Sequence, residues 1–274
     1  MSPFNRAASK LRAHLNYLKE EGVTEVEVSS QNLAALQQRL RAPRAARPAA
    51  PAQVAAQPRA ATPSPTPAAA APIANAPVAG NVAEELAAIA AEIAACQKCR
   101  LCESRTNTVP GQGNLQPEIM FIGEGPGAEE DKQGIPFVGR AGQLLTQIIE
   151  AMGFTREQVF IGNVVKCRPP DNRVPMPDEM AACLPYLERQ IALIKPKVIV
   201  ALGATAVKGL FNDPKVSITK IRGQWMSYQG IDTMPTLHPA YLLRNPPAKR
   251  EVWEDMKTVL TRLGRPIPAP KKRS

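Results

Sequence analysis

Two histidines in 274 residues, no glycine-rich phosphate loop, few acids and no apolar run of membrane-spanning length are what this chain most plainly lacks. The missing run excludes a helical membrane span. Without a phosphate loop, a hydrolase gripping free nucleotides deep in a pocket has no visible machinery. The first residues, Met1-Ser2-Pro3-Phe4-Asn5-Arg6, carry no apolar core of a secretory signal, so a soluble, cytoplasmic protein is expected. In that setting the five cysteines are not a disulfide framework, and their thiols stay reduced and available as ligands. The 24 acids face 34 Lys and Arg, a formal charge of +10. That imbalance points to a polyanionic partner, nucleic acid before an anionic membrane.

Composition divides what is there. Between Ala42 and Gly80, 26 of 39 residues are Ala or Pro, with no acid. Such a stretch cannot bury enough apolar surface to offset its ordering entropy, so residues 42–80 are expected to be a flexible linker. Ahead of it, residues 1–41 show two short helical patterns, Ala8/Leu11/Leu15/Leu18 and Leu33/Leu36/Leu40, expected as a helical segment able to dock a protein partner. Residues 81–264 carry the globular pattern and 265–274 a basic tail. Apolar runs of strand length occur at Ile119–Ile122, Val159–Val165, Val198–Leu202 and Met234–Leu237, separated by helical patterns at Gly142–Met152, Pro177–Ile194 and Ala204–Phe211, with a last helix near Ala248–Leu263. Buried strands alternating with helices predict an α/β fold around a parallel sheet covered on both faces. Ligands of such sheets bind beyond the carboxyl ends of the strands. Gly123 and Glu124, Asn163 and His238 all fall at such ends.

Cys96-x-x-Cys99, Cys167 and Cys183 form a cysteine quartet split by a long insertion. Its spacing lacks the paired knuckles of a zinc ribbon, and an iron–sulfur cluster tolerates scattered thiolates, so spacing leaves both open. Cys102 is surplus. Gly123-Glu124-Gly125-Pro126-Gly127 is not a dinucleotide fingerprint, but its glycines let a planar ligand approach the backbone. Asn163 lies in an otherwise apolar strand, where its amide suits recognition of a base edge. His238, followed by Pro239, faces the same crevice as Glu124 and Asn163. Leu242, Leu243 and Arg244, flanked by prolines and followed by Lys249 and Arg250, read as an apolar wedge with phosphate-gripping cations.

Together these residues resemble the family-4 uracil-DNA glycosylases, the iron–sulfur type of bacteria and archaea. The blocks that carry the likeness span about residues 83–263: Cys96–Leu101, Val109–Gly113, Gly123–Asp131, Pro136–Gly139, Asn163–Pro170 and His238–Leu242. The resemblance implies a three-layer α/β/α fold around a four-stranded parallel sheet, and a 4Fe–4S cluster on Cys96, Cys99, Cys167 and Cys183. It implies an enzyme that flips uracil from DNA and hydrolyses its glycosidic bond. Phe137 would stack on the ring, Asn163 would pair with N3–H and O4, and Glu130 with the Gly123–Gly125 backbone would shape the wall at C5. His238 would stabilise the departing anion. Family-1 relatives place an Asp where this chain has Gly125, which leaves Glu124 as the candidate for activating water. A monomer is expected. The competing reading is a non-catalytic iron–sulfur module that binds nucleic acid without releasing a base.

Overall fold

The computed structural model of the chain describes residues 82–269; the expected N-terminal segment and linker, residues 1–80, lie outside the described residues. Eight helices and six strands follow one another there: α1 Val82–Ala95, β1 Gln112–Gly113, β2 Ile119–Gly123, α2 Ala128–Gln133, α3 Arg140–Ala151, β3 Phe160–Asn163, α4 Pro177–Ile194, β4 Val198–Leu202, α5 Ala204–Phe211, α6 Ile218–Ile221, β5 Met226–Tyr228, β6 Ile231–Thr236, α7 Pro239–Arg244 and α8 Lys249–Arg262. No described helix is long and apolar enough to cross a membrane.

The strands form one sheet in the order β1-β3-β2-β4-β6-β5. Its centre, β3-β2-β4-β6, is parallel, while β1 and β5 join at the edges antiparallel. The four-stranded parallel sheet that the resemblance implies is met only in this centre, and the whole sheet is corrected to a mixed one of six strands. The two edge strands escaped notice because one has two residues and the other three, too few to show alternation. Every residue of β2, β3 and β4 is buried. Successive side chains point to opposite faces, so both faces are covered. The helices pack in two groups, α1 on α4 on α5 and, separately, α3 on α7.

Helix α4 shows why a segment folds where it does. Pro177 supplies a preset φ at its first position, and Glu179 reaches back to accept the Met176 N–H at 2.7 Å. Cys183, Leu187, Gln190, Ile191 and Ile194 then recur on one buried face, and Lys195 ends the helix in the left-handed region. The expected tail begins as anchored structure: Arg265 pairs with Glu118, 2.8 Å from Nε to Oε2, on the segment leading into β2.

Candidate active site

The sheet register builds the pocket. Gly123 and Asn163 end β2 and β3 as direct cross-strand partners, so their side-chain positions share one face. A Cβ on Gly123 would stand 2.5 Å from Asn163 Oδ1 and 2.5 Å from Phe137 Cζ. Glycine is required there by its neighbours' side chains. The room at Gly123 is filled by Asn163 and Phe137 and is not left open to a ligand. At Gly125 a Cβ would strike a Val165 methyl at 2.6 Å. A carboxylate could stand at that position only if Val165 gave way.

Beyond these strand ends lies a cavity of about 410 Å³. Glu124, Gly125, Glu130, Phe137, Asn163, His238 and Arg244 all line it, so the structure brings together most residues singled out from sequence. Leu243, Lys249 and Arg250 are exposed on the protein surface outside this lining. Leu242 is corrected: it is fully buried in the core and cannot serve as a wedge. The two leucines are neighbours on helix α7, and consecutive helical positions face different ways.

Two buried side-chain atoms among the described residues have no hydrogen-bond partner, Asn163 Oδ1 and Thr205 Oγ1, and both residues line this cavity. Leaving a buried acceptor unpaired costs about 1–3 kcal/mol, a cost that a ligand donating a hydrogen bond would remove. His238 stands at the end of the segment following β6, where it caps helix α7: its Nδ1 accepts the Ala240 N–H at 3.1 Å. With Nδ1 an acceptor, the ring proton sits on Nε2. Burial, and secondarily the Arg244 charge, push the imidazole pKa down to about 4, so His238 is a neutral donor at pH 7. Gly203, with φ of +88°, lets the imidazole pack close; a Cβ there would meet His238 Cβ at 2.9 Å.

The opposite wall is the Pro136–Gly139 loop. Phe137 lies 5.8 Å from His238, ring centroid to ring centroid, with the planes tilted by 38°. Glu130 organises this loop. Its Oε1 accepts the N–H groups of Val138 and Gly139, both at 2.9 Å, and its Oε2 accepts that of Gly127 at 3.1 Å. Glu124 lines the rim half-exposed, and its carbonyl accepts the Val165 N–H at 3.1 Å.

Sequence reasoning missed three residues. Thr205 follows β4, and the rule that ligands bind at strand ends, applied there, would have found it. Arg173 lines the cavity and grips the buried Glu179 with two hydrogen bonds of 2.6 and 2.8 Å. Burial alone would raise the Glu179 pKa, but Arg173 and the Met176 N–H hold it below the usual carboxylate value. Arg156, the third, stands outside the cavity lining and donates to the Pro136 and Phe137 carbonyls of its wall; no motif marks it.

Away from the cavity, Cys96, Cys99, Cys102, Cys167 and Cys183 converge on one small cleft with Lys98, Arg105, Lys166 and Tyr186. Cys183 sits on α4, and its Sγ accepts the Lys166 N–H at 3.2 Å; Cys167 Sγ accepts from Arg105 at the same distance. Arg105 also donates to the Cys96 and Ala94 carbonyls at 2.9 and 2.7 Å, tying the end of α1 to Cys167. Burial pushes the Cys183 thiol up to about 11 against the pull of Lys166. Among the described residues no three His, Cys, Asp or Glu are grouped as a single ion would require.

A crevice at the carboxyl ends of a parallel sheet, holding an unpaired amide oxygen, an aromatic wall and a neutral imidazole donor, gives this α/β protein a candidate active site suited to a planar hydrogen-bonding ring. Residues 110–257 match the model of the uracil DNA glycosylase superfamily. The chain is 55% identical over 166 residues to the type-4 uracil-DNA glycosylase of Thermotoga maritima, covering 59% of this chain and 85% of that protein. It is 50% identical over 184 residues to the type-4 enzymes of Sulfurisphaera tokodaii and Saccharolobus solfataricus, covering 64% of this chain and 84% and 85% of theirs. The chain belongs to the uracil DNA glycosylase superfamily, in its type-4 branch.

Proposed function

We propose that this protein is a DNA-repair glycosylase that removes uracil from DNA and leaves an abasic site. The observation that carries the reading is the unpaired, buried Asn163 Oδ1 in one cavity with a neutral His238. Uracil stacked in a duplex is out of reach, so the nucleotide must be extruded. The exposed Leu243 and Arg244 on α7 are suited to fill the gap it leaves. In the pocket Asn163 Oδ1 accepts uracil N3–H and its amide nitrogen donates to O4; cytosine reverses that order and is refused. Phe137 stacks on the ring. As the glycosidic bond breaks, negative charge gathers on the departing base, and His238 Nε2–H donates to O2. Glu124 is the candidate for orienting water.

Four cysteines suit a 4Fe–4S cluster: Cys96, Cys99, Cys167 and Cys183. N–H groups of Arg105 and Lys166 donate to Cys167 and Cys183, and the side chains of both cations line the same cleft, where thiolates would balance their charge. Such a cluster would staple the segment ahead of β2 to α4. Replacing Cys183 by Ser is expected to abolish bound iron and lower the melting temperature, whereas Cys102→Ser keeps both. Iron and sulfide assays on purified variants check this, and iron lost from Cys102→Ser would overturn the ligand assignment.

The activity itself is tested on anaerobically purified protein with oligonucleotides carrying uracil, thymine or cytosine at one position. Alkali-dependent scission confined to the uracil strand is expected. Tight binding without scission would reject the enzymatic reading.

A further inference from the structure

Phe137 is the only aromatic among the described non-glycine residues with positive φ, at 52°. The left-handed region is disfavoured for any residue with a Cβ, and persists only where the surroundings impose it. Here they do so from two sides. The Arg156 guanidinium donates from Nη1 to the Phe137 carbonyl at 3.0 Å and from Nη2 to the Pro136 carbonyl, and Nη1 also reaches Thr146 Oγ1 at 3.4 Å. On the following peptides Glu130 accepts the Val138 and Gly139 N–H groups. Beneath the loop, a Cβ on Gly142 would stand 1.9 Å from the Phe137 oxygen, so only glycine admits the carbonyl in this orientation.

Arg156 is half-buried and does not line the cavity. It therefore cannot touch a base there, and its fork is spent on two consecutive carbonyls. Burying a guanidinium to cap main-chain oxygens is costly, and burial lowers the pKa of Arg156 accordingly. A loop with no task would be held more cheaply by water. We propose that Arg156 is a positioning residue for the reaction: it fixes the 136–137 peptides so that the Phe137 ring stands against His238, ready-made as a stacking wall before the base arrives. The inference rests on the reading of Phe137 as that wall. Preset geometry spares the extruded base the cost of ordering the loop, so its benefit belongs in the rate at saturating DNA.

A double-mutant cycle tests it. Single-turnover excision at saturating uracil-DNA is measured for the wild type, Arg156→Met, Phe137→Leu and the pair, with melting temperatures alongside. Arg156→Met is expected to slow excision about tenfold in the wild-type background and less than about twofold in the Phe137→Leu background, the coupling of residues that share one network. Arg156→Lys, which keeps one donor group, recovers part of the loss. Equal losses in both backgrounds would overturn the inference while leaving Phe137 as the wall. A normal rate for Phe137→Leu with a slow Arg156→Met would overturn the stacking reading as well. If Arg156→Met does not fold, the cycle is run with Arg156→Lys, whose loss must likewise vanish beside Phe137→Leu.

Discussion

His238→Ala is expected to slow uracil excision by about 10²–10³-fold, the effect of removing one preorganised donor from a developing anion. Binding of uracil-containing DNA should change little, because the contact strengthens only as the glycosidic bond breaks. The pH dependence separates this role from a purely structural one. The imidazole pKa lies near 4 in the folded protein against an ordinary 6.5. Between those values the unfolded chain takes up a proton that the folded chain refuses. The contribution to stability is therefore full above pH 6.5 and is lost as the pH falls through about 4. Wild-type excision should hold level from neutral pH to about pH 5, then fall as Nδ1 gains a proton and can no longer accept the Ala240 N–H. In His238→Ala the residual rate should lack that acid limb. A wild-type rate that already halves near pH 6.5 would contradict the neutral-donor assignment.

Asn163→Ala should be nearly as damaging to activity and almost silent in stability. Removing the amide deletes the proposed pairing with N3–H and O4, so a loss of about 10²-fold or more is expected, as for sites built to hydrogen-bond a substrate. Yet the deleted oxygen has no partner in the folded protein. Its removal recovers a desolvation cost of about 1–3 kcal/mol, which offsets the packing lost with the side chain. The melting temperature should stay within a few degrees of the parent. A large drop would mean that Asn163 is a structural amide. Differential scanning calorimetry beside the excision assay gives both numbers from one preparation.

Much of the fold is legible in the sequence. The helices over Pro177–Ile194 and Ala204–Phe211 stand where their periodicity put them, because each buries a long apolar stripe. Asn163 betrayed itself as the polar exception in an apolar strand, and His238-Pro239 as a histidine at a strand end. The illegible parts have physical reasons. Leu242 and Leu243 look alike in sequence, and only the register of α7 sends one into the core and leaves the other outside. Arg156 sits in a short turn beside Glu157 and Gln158 and reads as a solvated charge. Its partners are carbonyls 19 and 20 residues earlier, and main-chain oxygens carry no sequence signature. The edge strands were too brief to announce themselves.

The split of the cysteines across the sheet also sets a timetable. Cys183 precedes β4, β5, β6 and His238 in chain order, so all four proposed ligands exist while only β1, β2 and β3 have been made. At a synthesis rate of about 5–20 residues per second, the interval between Cys183 and His238 lasts roughly 3–11 s. During it the nascent chain carries Gly123, Phe137 and Asn163 without His238. The order of translation puts the four proposed cluster ligands on the chain seconds before the proposed imidazole donor.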